Sequence, residues 1–250
     1  MPFTFAHPAI VLPFGSFLPR KFSMTGMIAG SIVPDFEYFF RMEVKSLYSH
    51  SLPGIFFFDI PVALLMTFLF HYLIRNTLIS NLPHFLQYRL SPITKFKWMP
   101  YVKNNKSKLL LSIMFGILSH LFWDSFTHQN AFFVTHFNYA LTTLDLFHYP
   151  VALSKVLQHT STLLGGLIIF IYLLRMPKSD TVPSTISLEY WLSVACLSLI
   201  IIAIRMTGVY PSHPLGMIIV TCLSAFMVSL TIAPLFLTMK RSTLEILRAL

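Results

Sequence analysis

The stretch Leu109–His128, LLLSIMFGILSHLFWDSFTH, is an apolar run that ends in three coordinating side chains. His120, Asp124 and His128 follow one another at intervals of four residues. Each step of four residues turns an α-helix by only about 40°, so the three side chains lie near one face. The apolar part predicts a membrane span. Its polar end predicts a metal site, because imidazole and carboxylate groups together suit zinc, iron or manganese.

Two questions about these residues stay open: whether they bind a metal at all, and whether His128 can share an ion with His120. Polar side chains also occur where a membrane span meets water, with no metal involved. His120 and His128 would be separated by roughly 12 Å of helix rise if the helix continued through both. One ion cannot bind both histidines across that distance. We therefore expect either a second metal or a loop position for His128.

The composition is that of an integral membrane protein. Of the 250 residues, 55% are hydrophobic and only 11% are charged, whereas a soluble domain has about 25% charged residues. The formal net charge is +9, which in such a chain reflects topology and contact with anionic lipid. No soluble segment interleaves Lys and Arg with aromatic residues. We therefore expect the lipid bilayer as a partner and no nucleic acid, while the sequence defines no protein partner.

The hydrophobic pattern predicts an all-α membrane bundle of about five transmembrane helices. The apolar runs lie at residues 54–73, 109–123, 160–174, 188–204 and 214–239. Residues 8–18 are apolar but too short to cross about 30 Å of hydrocarbon, so we expect a re-entrant or interfacial helical segment there. Residues 22–33 are rich in small side chains suited to close helix packing. We divide the chain into a metal-site domain, 1–175, and two additional spans, 176–250.

The distribution of basic residues predicts the orientation of these spans. Residues 75–108 contain seven Lys and Arg. Further basic residues lie in the linker after the third span and in the C-terminal tail: Arg175, Lys178, Lys240, Arg241 and Arg248. Because such residues favour the cytoplasmic side, we expect these three segments in the cytoplasm and residues 124–158 outside.

This orientation brings several polar side chains to the same side of the membrane. His50 stands before the first span, His120 and Asp124 close the second, and His159 opens the third. Asp35 joins them if the segment before it ends on that side. Because three separate parts of the chain place such side chains at similar depth, we expect one metal site at the outer ends of the spans.

The order of these residues resembles a known family. The series is His7, Asp35, His50, His120-x-x-x-Asp124, His128 and His159. It resembles the ligand order of the zinc-dependent phospholipase C and S1/P1 nuclease superfamily. The resemblance implies an all-helical fold, these seven residues as metal ligands, and a divalent metal, with zinc first and manganese or iron as alternatives.

Shorter motifs resemble bacterial membrane proteins. Pro34-Asp35, Ser49-His50-Ser51 and His120-x-x-x-Asp124 are similar to motifs of bacterial membrane-bound metal-dependent hydrolases. Residues 2–8 together with 119–128 are similar to a bacterial family of multi-pass proteins whose domain has no known function. These resemblances cover residues 1 to about 175 and imply a multi-pass protein of the bacterial cytoplasmic membrane.

The chain departs from the phospholipase pattern at one position. In that superfamily the last histidine begins a His-x-x-x-Glu ligand pair, whereas here Leu163 follows His159 by four residues. One acidic ligand is therefore missing, and we expect one or two metals rather than three.

The sequence supports three functional hypotheses. The first is a metal-dependent hydrolase of phosphoesters or phospholipids, with Asp35 or Asp124 as the general base and Lys155 binding the substrate phosphate. The second is a non-catalytic membrane protein in which a structural metal holds the span ends together. The third is a transporter that binds metal ions or protons on this polar face.

Overall fold

The structure is a computed structural model that describes residues 3–18, 21–128, 131–139, 141–146, 148–180, 183–207 and 214–249. Nearly all of its secondary structure is helical, which confirms the all-α class. The helices are α1 (Pro8–Phe17), α2 (Met24–Ile32), α3 (Phe36–Arg41), α4 (Leu52–Ser80), α5 (His84–Thr94), α6 (Trp98–Asn104), α7 (Lys106–Asp124), α8 (Phe132–His136), α9 (Leu153–Arg175), α10 (Leu188–Met206) and α11 (Pro214–Ala249). Short 3₁₀ turns cover Thr4–Ala6 and Val33–Asp35.

Four helices of the described residues are long and apolar enough to cross a membrane, which identifies a membrane protein. They are α4, α9, α10 and the part of α11 between Leu215 and Thr238. They correspond to four of the five predicted spans, with Leu215–Thr238 one residue shorter at each end than the predicted run 214–239. The remaining predicted span, residues 109–123, forms most of α7, which is not among the four. Lysines at its start and His120 and Asp124 near its end reduce its apolar character.

The chain forms two compact units. The first unit comprises Met1–Asp35, Tyr48–Leu64 and Met99–Met176. The second unit comprises Phe36–Leu47, Leu65–Trp98 and Pro177–Leu250. The predicted domain boundary at residue 175 stays a prediction. The side chains of residues 239–250, which include the basic residues of the predicted cytoplasmic tail, lie outside the described part.

In the first unit, α2 and α7 pack at very short distance through glycines. A Cβ atom on Gly30 would lie 2.1 Å from the carbonyl oxygen of Ile113, and one on Gly116 would lie 2.4 Å from that of Met27. The small residues of the segment 22–33 therefore allow the two backbones to touch. This contact sets the distance between the end of α2 and the last turns of α7.

The N-terminal segment of the first unit is held against α9. The backbone N–H of Phe3 donates to the hydroxyl of Thr162 at 2.9 Å. A Cβ atom on Gly165 would lie 2.8 Å from the Cβ of Ala6, so only glycine permits this approach. The two contacts fix the turn that leads into His7 and α1.

The predicted outer loop of the first unit carries some regular structure. It contains α8 and a hairpin of β1 (Thr143–Leu146) and β2 (Tyr149–Ala152). The strands are antiparallel, with Thr143 opposite Ala152 and Leu146 opposite Tyr149.

The second unit is organised around α10 and α11. Tyr190, Val194 and Ala233 form its buried apolar cluster. The linker before α10 is attached to the α5 region by side-chain amides. Gln87 Nε2 donates to the carbonyl oxygen of Ser184 at 3.0 Å. This bond orders the region of Ser184, and the described residues of the linker form no helix or strand.

Candidate metal centre

Four predicted ligands from three parts of the first unit come together. Asp35 ends the 3₁₀ turn after α2, His50 lies in the loop before α4, and His120 and Asp124 lie one turn apart at the end of α7. One ligand atom from each of these four residues lies within 4.8 Å of the other three. Residues separated by up to 89 positions in sequence therefore form one cluster that can hold a metal ion.

The distances between the ligand atoms fit a single divalent ion. His120 Nε2 lies 3.2 Å from Asp124 Oδ2 and 3.6 Å from Asp35 Oδ1. His50 Nε2 lies 3.5 Å and 3.7 Å from the same two oxygens. A tetrahedral site with bonds of about 2.0–2.2 Å separates neighbouring ligand atoms by about 3.3–3.6 Å. Four of the six ligand pairs are thus near the separation that zinc requires.

Two ligands, His120 and Asp35, each form a hydrogen bond through the side-chain atom that points away from the cluster. These bonds direct the other nitrogen or oxygen of each side chain into the cluster. His120 Nδ1 lies 2.8 Å from the carbonyl oxygen of Ser31. A carbonyl oxygen only accepts, so Nδ1 carries a proton and Nε2 is the nitrogen that can bind a metal. The hydroxyl of Thr4 donates to Asp35 Oδ2 at 2.6 Å. Within the described residues, Asp35 Oδ1 and His120 Nε2 are buried without a hydrogen-bond partner, as expected for ligand atoms.

His50 reaches the cluster through an unusual backbone conformation. Its φ is 61°, in the left-handed region that only a small fraction of non-glycine residues occupy. The hydroxyl of Ser49 lies 3.0 Å from His50 Nδ1. The His50 side chain keeps 23% of its surface exposed, so the cluster opens toward solvent on this side.

Burial and local charge act in opposite directions on the ionisable groups of the cluster. Burial disfavours the ionised forms of both carboxyls. Nevertheless, the neighbouring His120 holds the pKa of Asp35 and the pKa of Asp124 below their ordinary values, with His50 adding to the effect on Asp124. Burial lowers the pKa of His7 to about 3, so this imidazole is neutral near pH 7. The two ionised carboxylates thus favour a positive charge between them, which a proton on His120 supplies without a metal and which a bound cation would supply in its place.

Asp124 faces a second set of histidines with its other oxygen. Asp124 Oδ1 lies 3.6 Å from His7 Nε2 and 3.6 Å from His128 Nδ1. The His7 ring also stacks on His120, with 3.8 Å between ring centroids. Because α7 ends at Asp124, His128 lies in the following turn and returns toward the carboxylate. His7 and His128 thus flank the four-residue cluster without belonging to it.

His159 and Lys155 both lie on α9 with exposed side chains. His159 is not one of the four residues whose ligand atoms converge. In this part of α9 the buried side chain is that of Gln158. It points about 100° around the helix from the side chain of His159. Gln158 Nε2 donates to the carbonyl oxygen of Thr127 at 2.9 Å, and Lys155 Nζ donates to Gln158 Oε1 at 3.3 Å.

Three residues that support the site were not identified from the sequence. Thr4 had a weak signal, since it belongs to the same N-terminal motif as His7. Gln158 is adjacent to a predicted ligand, but its role depends on where α9 begins. Ser31 acts through its backbone carbonyl, so no side-chain pattern could have revealed it.

Comparison with known proteins identifies a family. A family described as a domain of unknown function, DUF4184, matches residues 1–235, which include the whole cluster and extend past residue 175 into the last two spans. No curated protein and no solved structure matches the chain. The resemblance to zinc-dependent phospholipases stays a prediction. Because the match covers far more than half of its length, the chain belongs to the DUF4184 family.

Proposed function

We propose that the chain is a membrane-bound metal-dependent hydrolase of phosphoesters. Its site would lie at the outer face of the bacterial cytoplasmic membrane. The observation that carries this proposal is the convergence of Asp35, His50, His120 and Asp124 at separations suited to one divalent ion. Two imidazole nitrogens and two carboxylate oxygens suit zinc, and manganese or iron accept the same donors. The second oxygen of Asp124 faces His7 and His128 and stays outside this ligand set.

The hydrolytic chemistry would be divided between the metal and the two carboxylates. A divalent ion bound here that took a water as a fifth ligand would lower the pKa of that water toward about 7 and polarise a phosphoryl oxygen. Asp35 acts as a ligand only, because its second oxygen already accepts the Thr4 hydroxyl. Asp124 is the general base in this proposal, since its Oδ1 faces away from the ligand cluster. The partly exposed His50 and His128, at 23% and 32%, mark the side from which substrate enters.

Two features favour a phosphoester that is part of a lipid. The exposed Lys155 is held by Gln158 near the turn that carries His128, and its charge suits a phosphate. Exposed phenyl rings of Phe122 and Phe132 lie on the segments beside Asp124, and the rings of neighbouring phenylalanines pack against them. Aromatic rings are enriched at the membrane interface, where a lipid headgroup would meet the site.

A structural metal is the second candidate. It is favoured by the same four ligands, because structural zinc sites are filled entirely by protein side chains. Asp35 and His120 are fully buried, and an ion here would join the end of α2, the loop before α4 and the end of α7. Such an ion would contribute mainly to folding free energy.

Metal analysis followed by an activity screen separates these candidates. The full chain would be purified in mild detergent, its metal content measured, and the metal removed with a chelator and restored as zinc or manganese. We expect at least one bound ion and metal-dependent turnover of a phosphoester or phospholipid. Tight metal binding without turnover on a broad panel would favour the structural metal. A protein that binds no divalent ion would contradict both candidates.

A further inference from the structure

The second unit contains a buried arginine in a segment without acidic residues. Arg75 lies near the C-terminal end of α4 and is only 7% exposed. Residues 75–108 include seven Lys and Arg and no Asp or Glu. Buried charges in proteins are normally paired with an opposite charge. The groups around Arg75 therefore show how its charge is held in a buried position.

Neutral groups hold the Arg75 guanidinium in place. Its Nε donates to Asn76 Oδ1 at 2.9 Å, and its Nη1 donates to the carbonyl oxygen of Phe96 at 2.8 Å. Nη1 also lies 3.0 Å from His71 Nδ1, which accepts because arginine only donates. The His71 ring stacks on Trp98, with 4.2 Å between centroids. These contacts fix the orientation of the guanidinium, and none of them neutralises its charge.

The bond to Phe96 brings Arg75 to a turn that carries two further cations. Lys95 and Lys97 flank Phe96 in the chain, and both side chains are exposed. Phe96 itself is 40% exposed. The turn thus combines three positive charges with an exposed aromatic ring. Like charges carried on one turn repel one another, and a bound anion would offset that repulsion.

We propose that Arg75, Lys95 and Lys97 form a binding site for the phosphate group of an anionic phospholipid. This site lies in the second unit and does not depend on the proposed hydrolase function. None of these contacts of Arg75 engages Nη2 of the guanidinium, so this nitrogen can donate to a phosphate oxygen. The two exposed lysines supply flexible charges at its rim. A membrane-spanning helix ends five residues after Arg75, at Ser80. Phospholipid headgroups lie at the ends of such helices, and basic clusters there bind anionic lipids.

Lipid retention by the full chain in detergent tests this site. Native mass spectrometry would compare binding of phosphatidylglycerol and phosphatidylcholine with the same acyl chains. Two variants remove charge from the site, Arg75→Gln and the double variant Lys95→Gln with Lys97→Gln. The matched control, Lys103→Gln with Lys106→Gln, removes two exposed charges from the same basic segment.

We expect the wild type and the matched control to retain phosphatidylglycerol in preference to phosphatidylcholine. Both site variants should weaken phosphatidylglycerol binding by about tenfold, since charge-assisted bonds to phosphate are the strongest contacts available here. Should Arg75→Gln fail to fold, the double lysine variant decides alone, because its side chains are exposed and contribute little to packing.

Three results would overturn the proposal. Equal retention of the two lipids would remove the recognition of an anionic headgroup. A loss of binding in the control as large as in the double lysine variant would show a diffuse charge effect rather than a site. Displacement of the lipid by inorganic phosphate, together with thermal stabilisation by phosphate alone, would identify a free anion as the ligand instead of a lipid.

Discussion

His120 donates its Nδ1–H to the carbonyl oxygen of Ser31 across 2.8 Å, and this bond joins the metal cluster to the packing of two helices. Ser31 lies on α2 and His120 on α7. A backbone carbonyl can orient a ligand on another helix only where the two backbones nearly touch. Gly30 and Gly116 provide that contact, so helix packing determines the direction of His120 Nε2.

Replacing Gly116 with alanine should therefore weaken both stability and metal binding. Its Cβ would lie 2.4 Å from the carbonyl oxygen of Met27 and 2.7 Å from the backbone nitrogen of Ser31. Relief of these overlaps requires the helices to separate, at a cost of about 1–3 kcal/mol. Thermal unfolding and metal titration would measure the two effects. Gly166→Ala is the control, because no atom lies within 4 Å of its Cβ position. Identical behaviour of the two variants would refute the proposed coupling.

Metal content should distinguish the cluster from the exposed histidine on α9. His120→Ala removes a fully buried nitrogen of the cluster, and we expect the purified variant to lose its bound ion. His159→Ala changes an exposed side chain and should retain the wild-type amount of metal. Elemental analysis of both proteins is the measurement. Loss of metal in the His159 variant would place that residue among the ligands after all.

The different positions of these two histidines show how far sequence reasoning reaches. The interval of four between His120 and Asp124 places both on one helix face wherever α7 begins. The position of His159 depends on the exact start of α9, and a shift of one residue turns a side chain by about 100°. Thus a spacing within one helix is predictable, whereas the choice between Gln158 and His159 needs the three-dimensional structure.

The apolar pattern predicted the fold class more accurately than it predicted the number of spans. Runs such as residues 188–204 and 214–239 are long and apolar enough to cross a bilayer, so their helices follow from hydropathy. In α7, apolar residues pack against α2 and polar ligands occupy the last turns. The contacts of such a helix depend on the neighbouring helices. Its length and composition alone are therefore insufficient to identify it as a span.

Removing the hydroxyl of Thr4 should weaken metal binding without removing a ligand. Thr4→Val keeps the shape of the side chain but leaves Asp35 Oδ2 without its hydrogen bond. Loss of such an outer contact typically lowers metal affinity by about 10–100-fold. Competition with a metal-binding dye would measure the change, and Thr4→Ser should restore most of the affinity. Unchanged affinity in Thr4→Val would show that this bond does not orient Asp35.

The predicted orientation of the spans can be tested by cysteine labelling. We expect Lys106 in the cytoplasm and His136 outside, because basic residues are concentrated in the segment 75–108. Both side chains are exposed, so cysteines introduced there should react. The background would carry serine at Cys196 and Cys222. A membrane-impermeant reagent applied to whole cells should label only position 136. Labelling only of position 106 would reverse this topology. Labelling of both positions would contradict it.

Asp124→Asn provides the sharpest test of the proposed chemistry. The carboxylate offers one oxygen to the ligand cluster and another to His7 and His128. Asparagine keeps the size but cannot neutralise an ion or accept a proton. We expect metal-dependent phosphoester turnover to fall by at least about 100-fold, since changes to outer contacts of a metal site alone cost 10–100-fold. Thermal stability should change little, because packing along the spans supplies most of it.

The matched control is Asp145→Asn, which makes the same substitution at an exposed carboxylate of the β-hairpin. It should retain both activity and stability. A different outcome would support the structural metal: Asp124→Asn would then unfold at a much lower temperature than Asp145→Asn, and the metal-loaded wild type would hydrolyse nothing. An ion that contributes mainly to folding affects the melting temperature, whereas one that contributes mainly to catalysis affects the rate. Measuring both quantities on the same two variants therefore decides between the two candidate functions.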